Sequence, residues 1–180
     1  MLDASGTYAT IEDCQLAESN CPPSNNCFIS GTMVTMADGT QKPIEQLVVG
    51  DVVKSFNIDA LPLYSDDNTV LDTWSATNIT GSSDVATVVS NITDEVYGAI
   101  VINNLLKTTA IHRHLIKRNN IWSFVEAYKV VVGDIMLDIF NNEVEVISTD
   151  IERETFTIHK LDVENLDVFY ANNILTHNVK

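Results

Sequence analysis

Positive charge is scarce in this chain. Ten Lys and Arg stand against 25 Asp and Glu over 180 residues, a formal net charge of -15. A surface of that sign repels phosphate backbones and anionic lipid, so neither nucleic acid nor a membrane is an expected partner. Long apolar runs are also missing, none approaching the roughly 18 residues of a membrane span. The opening Met1-Leu2-Asp3-Ala4-Ser5-Gly6 has neither the basic nor the apolar region of a signal peptide. The sequence leaves the compartment open, a cytoplasmic or virion-associated location being compatible with it, and the sequons at Asn78 and Asn91 are read as chance products of Asn/Ser/Thr-rich stretches. Cysteine is limited to positions 14, 21 and 27, and an odd count argues against a closed disulfide framework and leaves at least one thiol free. Cys14 and Cys21 either bridge locally in an oxidising compartment or are ordinary small residues of a leader. A chain of this length buries about two-thirds of its unfolded surface as one domain, so folding requires no metal and no disulfide.

What is present divides into two compositions. Residues 1–26 carry four acids and no Lys or Arg, and end in Ser19-Asn20-Cys21-Pro22-Pro23-Ser24-Asn25-Asn26, which reads as a flexible acidic leader or flanking segment. From Cys27 onward, short segments rich in Val, Ile, Thr and aromatics alternate with turn signals at 37–40, 66–68, 80–82 and 141–142. That pattern predicts an all-β fold. Strands are expected at 27–30, 33–36, 51–57, 69–77, 85–92, 97–103, 105–110, 113–117, 121–124, 134–139, 143–151, 154–163, 167–171 and 173–176, with single helical turns only at 43–47 and 125–130. The segments Leu47-Val48-Val49-Gly50-Asp51-Val52 and Val130-Val131-Val132-Gly133-Asp134-Ile135 nearly superimpose at an offset of 83 residues. Val-Gly-Asp is a common strand-entry turn, but matched flanks favour two duplicated halves.

Three phrases bring chemistry. Cys27-Phe28-Ile29-Ser30-Gly31-Thr32 sets a thiol beside the Asn26-Cys27 peptide, Thr109-Ala110-Ile111-His112 supplies a neutral-range acid-base group, and Asn173-Ile174-Leu175-Thr176-His177-Asn178 ends in a side chain able to cyclise on its own carbonyl. Together they resemble the Hint superfamily of inteins, hedgehog autoprocessing domains and bacterial intein-like domains, over residues 27–178. The resemblance implies a compact, horseshoe-like all-β domain of two pseudo-two-fold halves, with 1–26 and 179–180 as flanks. It implies catalytic roles for Cys27 as nucleophile, Thr109 in supporting the scissile bond, His112 in protonating the departing amide nitrogen, and His177 in assisting succinimide formation by Asn178. No cofactor and no metal is implied. With about 30 residues from His112 to Val144, there is no room for a homing endonuclease.

His114 lies two residues beyond His112 and competes with it for the acid-base role. Asp167 stands where many members of the superfamily have an assisting histidine, and Lys160 where an acid is frequent; the neighbouring His159 is read as a surface residue or a substitute proton donor. Position 179 is Val rather than Ser, Thr or Cys, so splicing lacks its usual acyl acceptor and cleavage should prevail over ligation. The expected partners are the flanking segments in cis, with an external nucleophile or assembly partner as a further one. The competing reading is a non-cleaving or slowly cleaving structural module of a larger, phage- or virion-like assembly. A sterol-attaching hedgehog-like module is disfavoured, because no apolar extension follows Asn178.

Overall fold

The computed structural model describes residues 26–59, 61, 68–166 and 168–177. Cys14, Cys21, Asp167, Asn178, Val179 and Lys180 lie outside these residues, as does most of the turn signal at 66–68. The described chain is mostly β, with fourteen strands and one short α-helix. In chain order the strands are β1 Phe28–Ile29, β2 Met33–Thr35, β3 Gln41–Pro43, β4 Val52–Ile58, β5 Ser75–Ala76, β6 Gly81–Ile102 and β7 Leu106–Thr108, then β8 Arg113–Arg118, β9 Ile121–Glu126, β10 Ile135–Leu137, β11 Glu143–Glu145, β12 Thr149–Val163, β13 Val168–Ala171 and β14 Ile174–His177; the helix α1 is Asn68–Thr73.

One sheet runs β12-β1-β7-β6-β4, and a direct β12–β6 pairing closes it around the two-residue β1. The second runs β11-β10-β8-β14-β13-β2-β3, with β9 on β8 and β5 on β9. Two tight hairpins in the second sheet are set by Asn pairs. Asn119 and Asn120 join β8 to β9 with φ of 52° and 63°, and Asn172 and Asn173 join β13 to β14 with φ of 47° and 64°. Two-residue hairpin loops with both φ positive match the strand twist, and Asn tolerates that conformation better than other non-glycine residues. The second of these hairpins fixes the register that brings Thr176 opposite His114.

The duplication is visible atom by atom. After matching 3-10 turns at Ile44–Gln46 and Ala127–Lys129, Gly50 and Gly133 share a φ of 94°, which favours glycine. Asp51 Oδ2 accepts from the Val48 amide and Lys42 Nζ, and Asp134 Oδ2 accepts from the Val131 amide and an Arg118 guanidinium nitrogen. The Gly50 amide donates to the Val88 carbonyl and the Gly133 amide to the Val146 carbonyl. Two pseudo-two-fold halves thus share one architecture around a core that includes Phe28, Phe169, Ile44 and Met136, all fully buried. Burial of side chains of this size contributes roughly 1.5–3 kcal/mol each.

Three expectations from the sequence are corrected. Residues 69–77 are not one strand: they form α1 followed by β5, because Leu71 and Trp74, one helical turn apart, bury against the cluster containing Trp122 and Phe124. The strands expected at 85–92 and 97–103 are one, β6, whose polar middle Thr93-Asp94-Glu95 keeps its backbone paired to Thr157–His159 of β12. The 143–151 and 154–163 pair is repartitioned into β11 and the long β12, the irregularity falling as a shift of register between Glu152 and Thr155, near Gly98 with φ of 90°. A continuous partner strand satisfies the backbone where local composition signals a break.

Candidate active site

Cys27 precedes β1, which is held between β7 and β12 by the register Phe28 to Thr108 and Phe28 to His159. β7 ends at Thr108, and the chain then reverses through a turn in which the His112 amide donates to the Thr109 carbonyl at 3.1 Å. This turn is tied down by the Ala127 and Tyr128 amides, which donate to the carbonyls of His112 and Ala110. Thr109 and His112 consequently converge on the Asn26-Cys27 peptide. The Cys27 amide donates to Thr109 Oγ1 at 3.0 Å. On the other side of the peptide, the Asn26 backbone acts on the His112 ring in the sense that favours a charged imidazole, an influence smaller than that of burial.

His112 is fully buried, and its ring meets Phe28 edge-on at 4.3 Å between centroids. Burial first, then the neighbouring His114 and His177, push its pKa well below 6.5, so the resting imidazole is neutral. Its Nε2 lies 3.4 Å from Thr176 Oγ1, and its Nδ1 is buried with no hydrogen-bond partner. His114, 4.9 Å away, is different: Nδ1 is 3.0 Å from Thr176 Oγ1 and Nε2 is 3.2 Å from Thr108 Oγ1. Both its nitrogens are satisfied, and burial lowers its pKa to about 3. The geometry thus separates the two histidines: one has a nitrogen to spare beside the peptide bond, the other is a strut between two threonines.

His177, the last residue of β14, is buried with its ring 6.4 Å from His112 and 5.8 Å from Phe124. The two ends of the described domain therefore meet at one cluster, Phe28 and His177 both flanking His112 although they are 149 residues apart in sequence. Asp167 and Asn178 are outside the described residues. Thr176 was not singled out by the sequence, yet its hydroxyl lies within reach of both His112 and His114. The available signal was the alternation of Thr176 with His177 along β14, readable only once the register with His114 is known.

Cys27 Sγ faces the other way, into an apolar cluster of Ile29, Val96, Ala99 and Ile158. Only 1% of the residue is exposed, and burial pushes the thiol up to about 11, with Lys160 acting to lower it and Asp94 to raise it. The resting sulfur is therefore a thiol. His159 is corrected from a surface reading: it is 4% exposed, with Nε2 2.9 Å from Ser30 Oγ and Nδ1 3.2 Å from Asn91 Oδ1, and it projects from the opposite face of β12 to Cys27. Among the described residues no three His, Cys, Asp or Glu side chains are grouped to hold a metal ion.

No protein-family model matches the chain, and no curated protein matches it. Solved structures do. A bacterial intein-like domain from Clostridium thermocellum is 24% identical with a TM-score of 0.66, covering 85% of this chain and 99% of its own. The TvoVMA intein is 15% identical with a TM-score of 0.62, covering 86% and 99%, and a DnaB intein from Synechocystis is 14% identical with a TM-score of 0.59, covering 86% and 99%. The chain has the all-β Hint fold of inteins.

Proposed function

We propose that the chain is a self-processing domain that breaks its own Asn26-Cys27 peptide bond. The observation that carries this reading is that a single turn presents two groups at that peptide: the Thr109 hydroxyl, which accepts from the Cys27 amide at 3.0 Å, and His112, packed on the Phe28 ring with a buried Nδ1 that has no hydrogen-bond partner. In the proposed step, Cys27 Sγ loses its proton and bonds to the Asn26 carbonyl carbon, and the carbon-nitrogen bond to Cys27 breaks as the nitrogen gains a proton. The net change is one proton moved from sulfur to nitrogen, leaving a thioester and a free α-amine. Neutral His112 suits the transfer, since it can take up a proton and deliver it to the departing nitrogen. Thr109 holds that nitrogen in place.

At the other end, Asn178 would cyclise onto its own carbonyl and release Val179, with His177 and Asp167 assisting. Val179 offers no nucleophile, so the thioester passes to water or to an external thiol or amine, and cleavage outruns ligation. The substrates are the flanking segments in cis. A second reading, a Hint-fold module of a larger assembly whose chemistry is slow, draws support from the buried thiol with its pKa pushed up to about 11. Intact mass of the purified chain over time, with and without dithiothreitol, separates the two. Thiol-accelerated loss of residues 1–26 that disappears in Cys27→Ala is the expected result; a stable full-length mass under both conditions favours the slow module.

A further inference from the structure

The β1–β12 register pairs Phe28 with His159 and Ile29 with Ile158. Continued by one antiparallel step, it sets Cys27 directly across from Lys160. Side chains alternate along a strand, so Cys27 and Ile29 share a face with Ile158 and Lys160, while Phe28, Ser30 and His159 take the other. The contacts agree: Cys27, Ile29 and Ile158 form one apolar cluster, whereas Phe28 meets His112 and His159 meets Ser30. Cβ atoms of directly opposed residues lie about 4.5–5.5 Å apart, a gap that the four-carbon stem of a half-buried lysine spans to bring its ammonium near the sulfur.

The remaining charges on this face are few. Asp94 of β6 stands opposite Ile158, and Asp162, two residues beyond Lys160 on β12 and opposite Ser90, takes the same face. Lys107 of β7, level with Ile29, is committed to Glu152 at 2.6 Å and lies over the Phe156 ring at 5.1 Å. Lys42, Lys107, Arg113, Lys117, Arg118 and Lys129 all sit in ion pairs, whereas among the described residues Lys160, like Lys54 and Arg153, forms none. An unpaired cation facing a buried sulfur has one evident electrostatic consequence: it favours the thiolate over the thiol.

We infer that Lys160 is the residue that eases ionisation of Cys27 for the acyl shift, and that Asp94 opposes it. Lys160 takes no part in bond making. It offsets part of the burial that keeps the sulfur protonated, in agreement with the directions in which the two charges move the thiol. The inference rests on the self-processing reading only for its consequence on rate, not for the charge effect itself.

The test uses the full chain with Cys14→Ser and Cys21→Ser, leaving Cys27 as the single thiol, and follows its alkylation by iodoacetamide against pH on the uncleaved species by intact mass. Lys160→Met should raise the alkylation midpoint by about one pH unit, Lys160→Arg should leave it near the parent value, and Asp94→Asn should lower it. Cleavage by Lys160→Met should slow about tenfold below the midpoint and recover as pH is raised. Midpoints that stay put in both Lys160→Met and Asp94→Asn, with circular dichroism unchanged, overturn the inference. Shifted midpoints in a chain that never cleaves uphold the charge effect and sink the self-processing reading instead.

Discussion

Cys27 and Thr109 are tied to each other in both directions. The Cys27 amide donates to Thr109 Oγ1 at 3.0 Å, the Thr109 amide donates to the Cys27 carbonyl at 3.0 Å, and the Thr109 hydroxyl lies 3.4 Å from that same carbonyl. The backbone bond belongs to the sheet and survives most substitutions. The hydroxyl contact touches the nitrogen that departs in the proposed acyl shift, so it is the part of the clamp with chemical consequence under that proposal.

Thr109→Val removes that hydroxyl at nearly constant volume. A lost bond of this kind costs about 1–3 kcal/mol, so thiol-induced cleavage should slow by roughly ten- to a hundredfold while the folded spectrum is kept. Thr109→Ser should restore most of the rate. An unchanged rate in the valine variant would show that the hydroxyl contributes nothing to bond scission.

The two buried histidines should fail differently. His112→Ala should slow cleavage by on the order of 10² to 10⁴, the usual contribution of a positioned acid-base group, with little loss of stability. His114→Ala strips the ring from the Thr108 hydroxyl and leaves the Thr176 hydroxyl only its 3.4 Å contact to His112, and should cost about 1–3 kcal/mol in urea unfolding. A stable but inactive His114→Ala chain beside an active His112→Ala chain would exchange their roles.

Stability should fall in acid. In the unfolded chain each imidazole takes up a proton below 6.5, whereas folded His114 resists down to about 3 and folded His112 stays well below 6.5. Their contribution is whole above 6.5 and is lost as pH drops from there towards the folded values, at up to about 1.4 kcal/mol per pH unit for each group. The raised thiol acts at the other end: the unfolded Cys27 ionises near 9.0 and the folded one near 11, so stability also declines as pH climbs between them. Urea titrations from pH 4 to 10 check both slopes, and a flat profile from 6.5 down would contradict buried, neutral histidines.

With reporter proteins fused at both ends, the parent chain should give free N-terminal reporter and little ligated product. Val179→Cys supplies an acceptor for the Cys27 thioester and should allow some ligation. A branched species that accumulates in that variant would locate the defect in the Asn178 step, where Asp167 replaces a histidine, while efficient ligation with Val179 in place would contradict cleavage as the main outcome.

Much of this was legible locally. The Val-Val-Gly-Asp repeat announced two halves because a glycine at positive φ followed by an aspartate that bonds back three residues is a short-range device, written wholly within six positions. Cys27, Thr109 and His112 stood out for the same reason: their neighbours in sequence are also their neighbours in the turn and strand that hold them. The helix at 68–73 was missed because its two buried contacts, Leu71 and Trp74, look β-like among Thr and Val until Trp122 and Phe124 are set beside them.

The sequence by itself determined the all-β class and the internal duplication and named the candidate reactive groups, since these depend on side-chain type and on turns of a few residues. Only the tertiary structure decided which histidine keeps a nitrogen free, that His159 is buried behind Ser30, and that Cys27 packs with Ile29 and Ile158 on the other face. Those facts depend on strand register and on which face of a sheet each residue takes. A shift of one residue would reverse every one of them, and in this chain the register is set by strands that pair across as many as 137 positions, Val34 with Ala171, and 131 for Phe28 with His159, distances over which no local pattern carries information.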